Sequence, residues 1–99
     1  ETSMRDLETE IVRQVREAAR QVVNSLKRVD ATQKARELAG KQLEAEEKRQ
    51  AVGLSDTFRV FQAQRDLALQ RQAELNAIIA YNRALINLEA VQTAPIGGF

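Results

Sequence analysis

Three carboxylates crowd each of two stretches of the chain: Asp6, Glu8 and Glu10 in the first, Glu44, Glu46 and Glu47 in the second. Paired carboxylates can do general acid and base work, because like charges held close drive their pKa values apart. Both sets stand among Lys and Arg in strongly helix-forming sequence, where a solvated charged face is the plainer reading. With neither His nor Cys present, the commonest metal ligands and the usual nucleophile–base pairs are missing. Gly53 has no other glycine nearby, so there is no phosphate-cradling loop. Tyr81 lies on an apolar arm and reads as a packing residue with its hydroxyl at an edge, rather than as a ligand-stacking platform. The residues point away from an enzyme, a metal site or a cofactor, and toward a protein that works through its surfaces.

Composition narrows the partners. Fifteen basic and 14 acidic residues, interspersed along 99 positions, leave a net charge of +1. Such a balance argues against electrostatic capture of nucleic acid. The absence of cysteine fits an oxidising compartment as well as the cytosol. The longest wholly apolar run, residues 77–81, falls far short of the roughly 20 residues a membrane-crossing helix needs. The first residues, Glu1-Thr2-Ser3-Met4-Arg5, carry no signal-peptide pattern and begin in the middle of a helical repeat, as an excerpt of a larger protein would.

The elements that position these residues are helices. Ala, Leu, Glu, Gln and Arg dominate, and strand signals are absent, so the expected class is all-α. Met4, Leu7, Ile11, Val15, Ala18, Val22, Leu26 and Val29 follow one another at three- or four-residue steps, one stripe of a helix. The first arm is expected over about residues 4–51, and at roughly 1.5 Å per residue it would reach about 70 Å. Gly40 within it reads as a bend, a close helix contact or a tolerated accident. Asp30/Lys34, Glu37/Lys41 and Glu44/Lys48 are acid-before-base i,i+4 pairs recurring every seven residues, the coiled-coil period. Val29 and Leu43 flank that charged stripe on one side, Ala31, Leu38 and Ala45 on the other, and Thr32, Ala39 and Glu46 hold the remaining face. Two modest seams suit a stave touching neighbours left and right, although on pattern alone a loosely patterned helix of a four-helix bundle fits slightly better.

The second arm is expected over about residues 55–93. Phe58, Phe61, Ala68 and Leu75 make one apolar stripe with Val60, Ala63 and Leu67 beside it. Beyond them Ala73, Ala77, Ala80 and Ala84 form a small-residue ridge, while Leu75, Ile78, Ile79, Leu85, Ile86, Leu88 and Val91 supply bulk. Val29 and Val22 of the first arm are expected beside Ala77 and Ala84, which covers one side only. The uncovered side predicts self-association of the hairpin or packing against other parts of the same protein. The helix should end before Pro95, leaving residues 94–99 as a tail.

Between the arms, residues 52–55 form the tip. Gly53 is suited to the left-handed conformation that ends a helix, and Ser55 or Asp56 to capping the next one. With this tip in place, residues 43–67, followed by Ala80-Tyr81-Asn82-Arg83-Ala84-Leu85-Ile86-Asn87-Leu88-Glu89, resemble the outer-membrane efflux protein family, the TolC-like channels. The matching features are Arg49 before the glycine tip Gly53, Ser55 soon after it, the hydrophobic pair Val60 and Phe61, and Ala63-Gln64-Arg65-Asp66-Leu67. The Tyr81-Asn82 ending is more similar to the second internal repeat of that family than to the first.

The resemblance implies one hairpin from a homotrimeric protein, each chain giving two hairpins to a periplasmic α-helical tunnel below an outer-membrane β-barrel. Export through such channels is passive; an inner-membrane pump supplies energy through a periplasmic adaptor, the membrane fusion protein. It assigns Val52, Gly53, Leu54 and Ser55 to adaptor docking, with Arg49 as a nearby polar contact. Arg59 and Gln62 stand where relatives often carry acidic gate residues, so Phe58, Arg59 and Gln62 are expected to form an aromatic or amide constriction instead. The alternative is a generic coiled-coil module, such as the hairpin of the adaptor itself. The Arg-x-x-x-Leu pattern of adaptor hairpins is not met, since Arg36 and Leu43 are too far apart.

Overall fold

The computed structural model describes residues 2–97, with side chains for residues 3–93. It contains two α-helices, α1 (Thr2–Ala51) and α2 (Thr57–Gly97), joined by residues 52–56, and no strand among the described residues. The expected all-α helical hairpin is what forms. The boundaries differ from expectation in two places. The second helix opens at Thr57 rather than at 55, because Asp56 and not Ser55 caps it. It also continues through Pro95 to Gly97 instead of ending before the proline. A proline's fixed φ is itself helical, and close to a helix end its missing N–H interrupts only one backbone bond. Residues 98 and 99 of the expected tail lie outside the described residues.

The chain forms two compact units, Arg28–Ala77 and the pairing of Glu1–Lys27 with Ile78–Phe99. In the first, the helices run antiparallel from the turn and meet along a seam of heptad spacing. On α1 the residues withdrawn from solvent are Val29, Arg36 and Leu43, interleaved with Thr32, Ala39 and Glu46. On α2 they are Val60, Leu67 and Glu74, interleaved with Ala63, Gln70 and Ala77. Ala39, Val60, Leu67 and Ala77 are the buried members, with Ala77 at 0% exposure. Spacing of this kind lets each side chain of one helix enter a gap between four on the other.

The face holding Thr32, Ala39 and Glu46 thus belongs to the hairpin seam, although its mixed polarity suggests an outward face. Small size and internal satisfaction explain this. Ala39 lets the backbones approach, and the Thr32 hydroxyl donates to the carbonyls of Arg28 at 2.9 Å and Val29 at 3.0 Å within its own helix. Further along the seam Arg36 Nε lies 2.9 Å from Glu74 Oε1, an ion pair between the helices. The guanidinium N–H is not aimed at the oxygen, so this is a contact of charges without a hydrogen bond.

The two stripes of α2 separate cleanly. Val60, Ala63 and Leu67 turn inward, whereas Phe61 and Leu75 remain 61% and 51% exposed, with Ala68 exposed between them. On α1, Leu38 is likewise exposed. In the unit formed by Glu1–Lys27 and Ile78–Phe99, Ala18 and Ala84 are buried, and Ile11, Val15, Val22, Tyr81, Leu88 and Val91 are half-buried around them. Val12, Val23, Leu26, Ile78, Ile79 and Ile86 are left exposed. Each unit therefore covers a narrow, alanine-rich strip and leaves bulkier apolar side chains in water.

Replacing Ala77 by Leu should destabilise the chain by about 1–3 kcal/mol through overpacking of the closed seam. Leu75→Ala, on the open stripe, should stay within about 0.5 kcal/mol in dilute monomeric chain. Urea denaturation followed by helix signal distinguishes the two. A Cβ added at Gly40 would meet nothing within 4 Å, so no close approach among the described residues requires a glycine there. Gly40→Ala should accordingly raise stability by about 0.5–1 kcal/mol in the same assay.

Candidate functional site

The tip is built from hydrogen bonds that the chain must make to end one helix and begin another. Gly53 has φ +79°, the left-handed conformation. Its N–H donates to the Gln50 carbonyl at 3.1 Å, and the Leu54 N–H reaches back to the Arg49 carbonyl at 2.7 Å. This pair of bonds is a Schellman cap, satisfying carbonyls that the end of α1 would otherwise leave open. On the other side Asp56 Oδ1 accepts the Arg59 backbone N–H at 2.9 Å, the N-cap of α2. Gln50 Nε2 donates to Thr57 Oγ1 at 3.2 Å, a side-chain bridge across the turn.

With the two helix ends capped in this way, the tip turns apolar side chains outward. Val52 and Leu54 are 70% and 71% exposed, and Phe58, on the first turn of α2, is 69% exposed. A Schellman cap often packs its Leu54 position against the last helical turn. Here the facing residue is Arg49, which bends to Glu46 instead, so Leu54 has no apolar cover.

Of the two capping candidates, Asp56 makes the cap and Ser55 bonds elsewhere. Its hydroxyl donates to Glu46 Oε2 at 2.5 Å, nine positions back in α1. The other carboxylate oxygen, Oε1, receives Arg49 Nη1 at 2.8 Å. The Ser55 hydroxyl does most to hold the Glu46 carboxyl below its ordinary pKa; desolvation opposes it, and the smaller contributions of Arg49 and then Arg59 add to the lowering. Glu46, Arg49 and Gln42 of α1 and Arg59, Gln62 and Asp66 of α2 line a polar groove of about 530 Å³ under the tip.

The structure thus brings together Arg49, Ser55, Arg59 and Gln62 around Glu46, which the sequence shows only as one of several neighbouring acids. Phe58 does not share the groove with Gln62 despite the i,i+4 spacing; it lies with Phe61 among the exposed side chains of α2. A signal for Glu46 exists in the spacing. It continues the seven-residue series of Ala18, Ser25, Thr32 and Ala39, which places its carboxylate at the end of the seam. The other acidic cluster is engaged locally: Arg13 Nε donates to Glu10 Oε2 at 3.1 Å, Gln14 Nε2 to Glu10 Oε1 at 3.2 Å, and Arg13 also reaches Glu17. These contacts hold the Glu10 carboxyl below its usual range.

Among the described residues no group of three acidic side chains is placed to hold a metal ion, and no helix is long and apolar enough to cross a membrane. Comparison of the chain with protein-family models, curated proteins and solved structures finds no match.

A Cβ at Gly53 would meet nothing within 4 Å, so substitution there is penalised by backbone conformation alone. Gly53→Ala should destabilise the chain by about 1–2 kcal/mol, the cost of a left-handed L-residue. Gly53→Asn should lose less, since Asn tolerates that conformation. Thermal unfolding of the three proteins gives the ranking.

Proposed function

We propose that this chain is a periplasmic helical hairpin of a TolC-like outer-membrane efflux channel, forming part of the tunnel wall and docking a periplasmic adaptor through its tip. The observation that carries the reading is the combination at residues 49–58: backbone groups closed by a Schellman cap and an N-cap, with Val52, Leu54 and Phe58 held out in water. A rigid turn with uncovered apolar side chains can bury them against a partner without first ordering itself, which lowers the entropic cost of association. The resemblance around Gly53 and residues 63–67 supplies the family. The open stripe of Phe61, Ala68 and Leu75 supports the wall role, because a stave between neighbours needs a second seam on its outer side.

In this reading the full-length protein is a homotrimer of a Gram-negative outer membrane, its hairpins standing in the periplasm. It carries small molecules or proteins passively, without catalysis or a cofactor, in line with an inner-membrane pump. Phe58, Arg59 and Gln62 narrow the tunnel entrance. The hairpin by itself self-associates through its open stripes.

Leu54→Cys in the full-length protein, treated in cells with a thiol–amine cross-linker, should yield an adduct with the periplasmic adaptor. An adduct with a channel protein or a cytosolic protein would overturn the proposal, the former pointing to an adaptor hairpin.

A further inference from the structure

We propose that Glu46 is the positioning residue of the tip, a latch that holds the turn in the form that presents Val52 and Leu54. Its biological consequence rests on the reading of the tip as a docking surface; its structural content does not. Both carboxylate oxygens are committed to the turn region. Oε2 takes the Ser55 hydroxyl at 2.5 Å and Oε1 takes Arg49 Nη1 at 2.8 Å. One side chain therefore ties the last turn of α1 to the segment leading into α2. Ser55 lies immediately after Leu54, so fixing its hydroxyl limits the rotation of the exposed leucine about the cap. Arg49 supplies the carbonyl that receives the Leu54 N–H, so the same latch holds both the donor's neighbour and the acceptor's residue.

The surroundings favour an ionised latch. Arg49 on α1 and Arg59 on α2 face the carboxylate, and Asp66 on the far side of the groove is the one acidic group lining it from α2. A charged acceptor makes the stronger hydrogen bond, and Glu46 is half-buried at the seam end, where water competes less. The grip is present when Glu46 is ionised. Because its folded pKa is lowered, the stabilisation is complete above the ordinary carboxylate range and disappears as pH falls through the folded value.

The test is amide hydrogen exchange at Gly53 and Leu54 in the chain, alongside adaptor cross-linking from Leu54→Cys in the full-length protein. Glu46→Ala and Ser55→Ala should each speed exchange at these two amides about tenfold while the seam amides near Leu67 keep their protection. The second variant removes the donor without touching the helix seam, so a folding defect of the first does not decide the matter. Protection at Leu54 should fall in acid in the wild type and be insensitive to pH over the same range in Glu46→Gln. In the full-length protein, both alanine variants should lower the adaptor adduct. Unchanged exchange in the two alanine variants overturns the latch, whatever the cross-linking shows. Faster exchange with no adaptor adduct even in otherwise wild-type protein supports the latch and overturns the docking reading.

Discussion

The structure depends on a seam between two helices whose central positions are small. Ala39 and Ala77 in the tip-bearing unit, and Ala18 and Ala84 in the other, are buried because a methyl group is all that fits where backbones come close. Close approach gives dense packing, yet each alanine removes little apolar area from water. Among the described residues, Val60 and Leu67 are the only bulkier side chains that are buried, and no large side chain is fully enclosed. Two helices joined this way gain little stability from the seam itself. Larger apolar side chains such as Phe61, Leu75 and Ile86 point outward and keep much of their apolar area in water.

Polar residues within the seam then set what alanines cannot. An alanine strip slides easily, because one methyl group is like the next. Arg36 opposite Glu74 singles out one alignment by charge, the use best attested for polar groups at helical interfaces. Thr32 costs the seam little because its hydroxyl is satisfied inside α1. Glu46 continues the same series at the end of the seam, where its carboxylate turns from the helix pair to the connection and grips Ser55. Alignment and tip geometry thus come from neighbouring rows of α1, the first from Arg36 in the row of Val29 and Leu43, the second from Glu46 in the row of Thr32 and Ala39.

Much of this architecture is legible in the amino-acid pattern. Gly53, alone between two strongly helical stretches, marks the turn, and the left-handed cap follows from its missing Cβ. The ridge of Ala73, Ala77, Ala80 and Ala84 is visible as small residues at helical spacing and is found turned inward to differing depths. The row containing Thr32, Ala39 and Glu46 is harder to place, because hydropathy ranks it below Val29 and Leu43 although geometry puts it beside them. Polarity says where a residue is comfortable in water, whereas the seam selects for size and for hydroxyls bonded to their own helix. The Ser55–Glu46 contact spans nine positions and a turn, and no local periodicity encodes it. Phe58 and Gln62 share a helical spacing, yet only Gln62 lines the groove under the tip.

On the proposed function, the outward stripe of α2 is a second seam for a neighbouring helix. Sedimentation equilibrium of the chain, compared with a variant carrying Phe61→Glu and Leu75→Glu, tests it most directly. The unaltered chain should associate reversibly, and the variant should be monomeric with its helix content retained, since neither residue belongs to the closed seam. A chain that stays monomeric across the accessible concentration range, or a variant that associates as strongly, would contradict it.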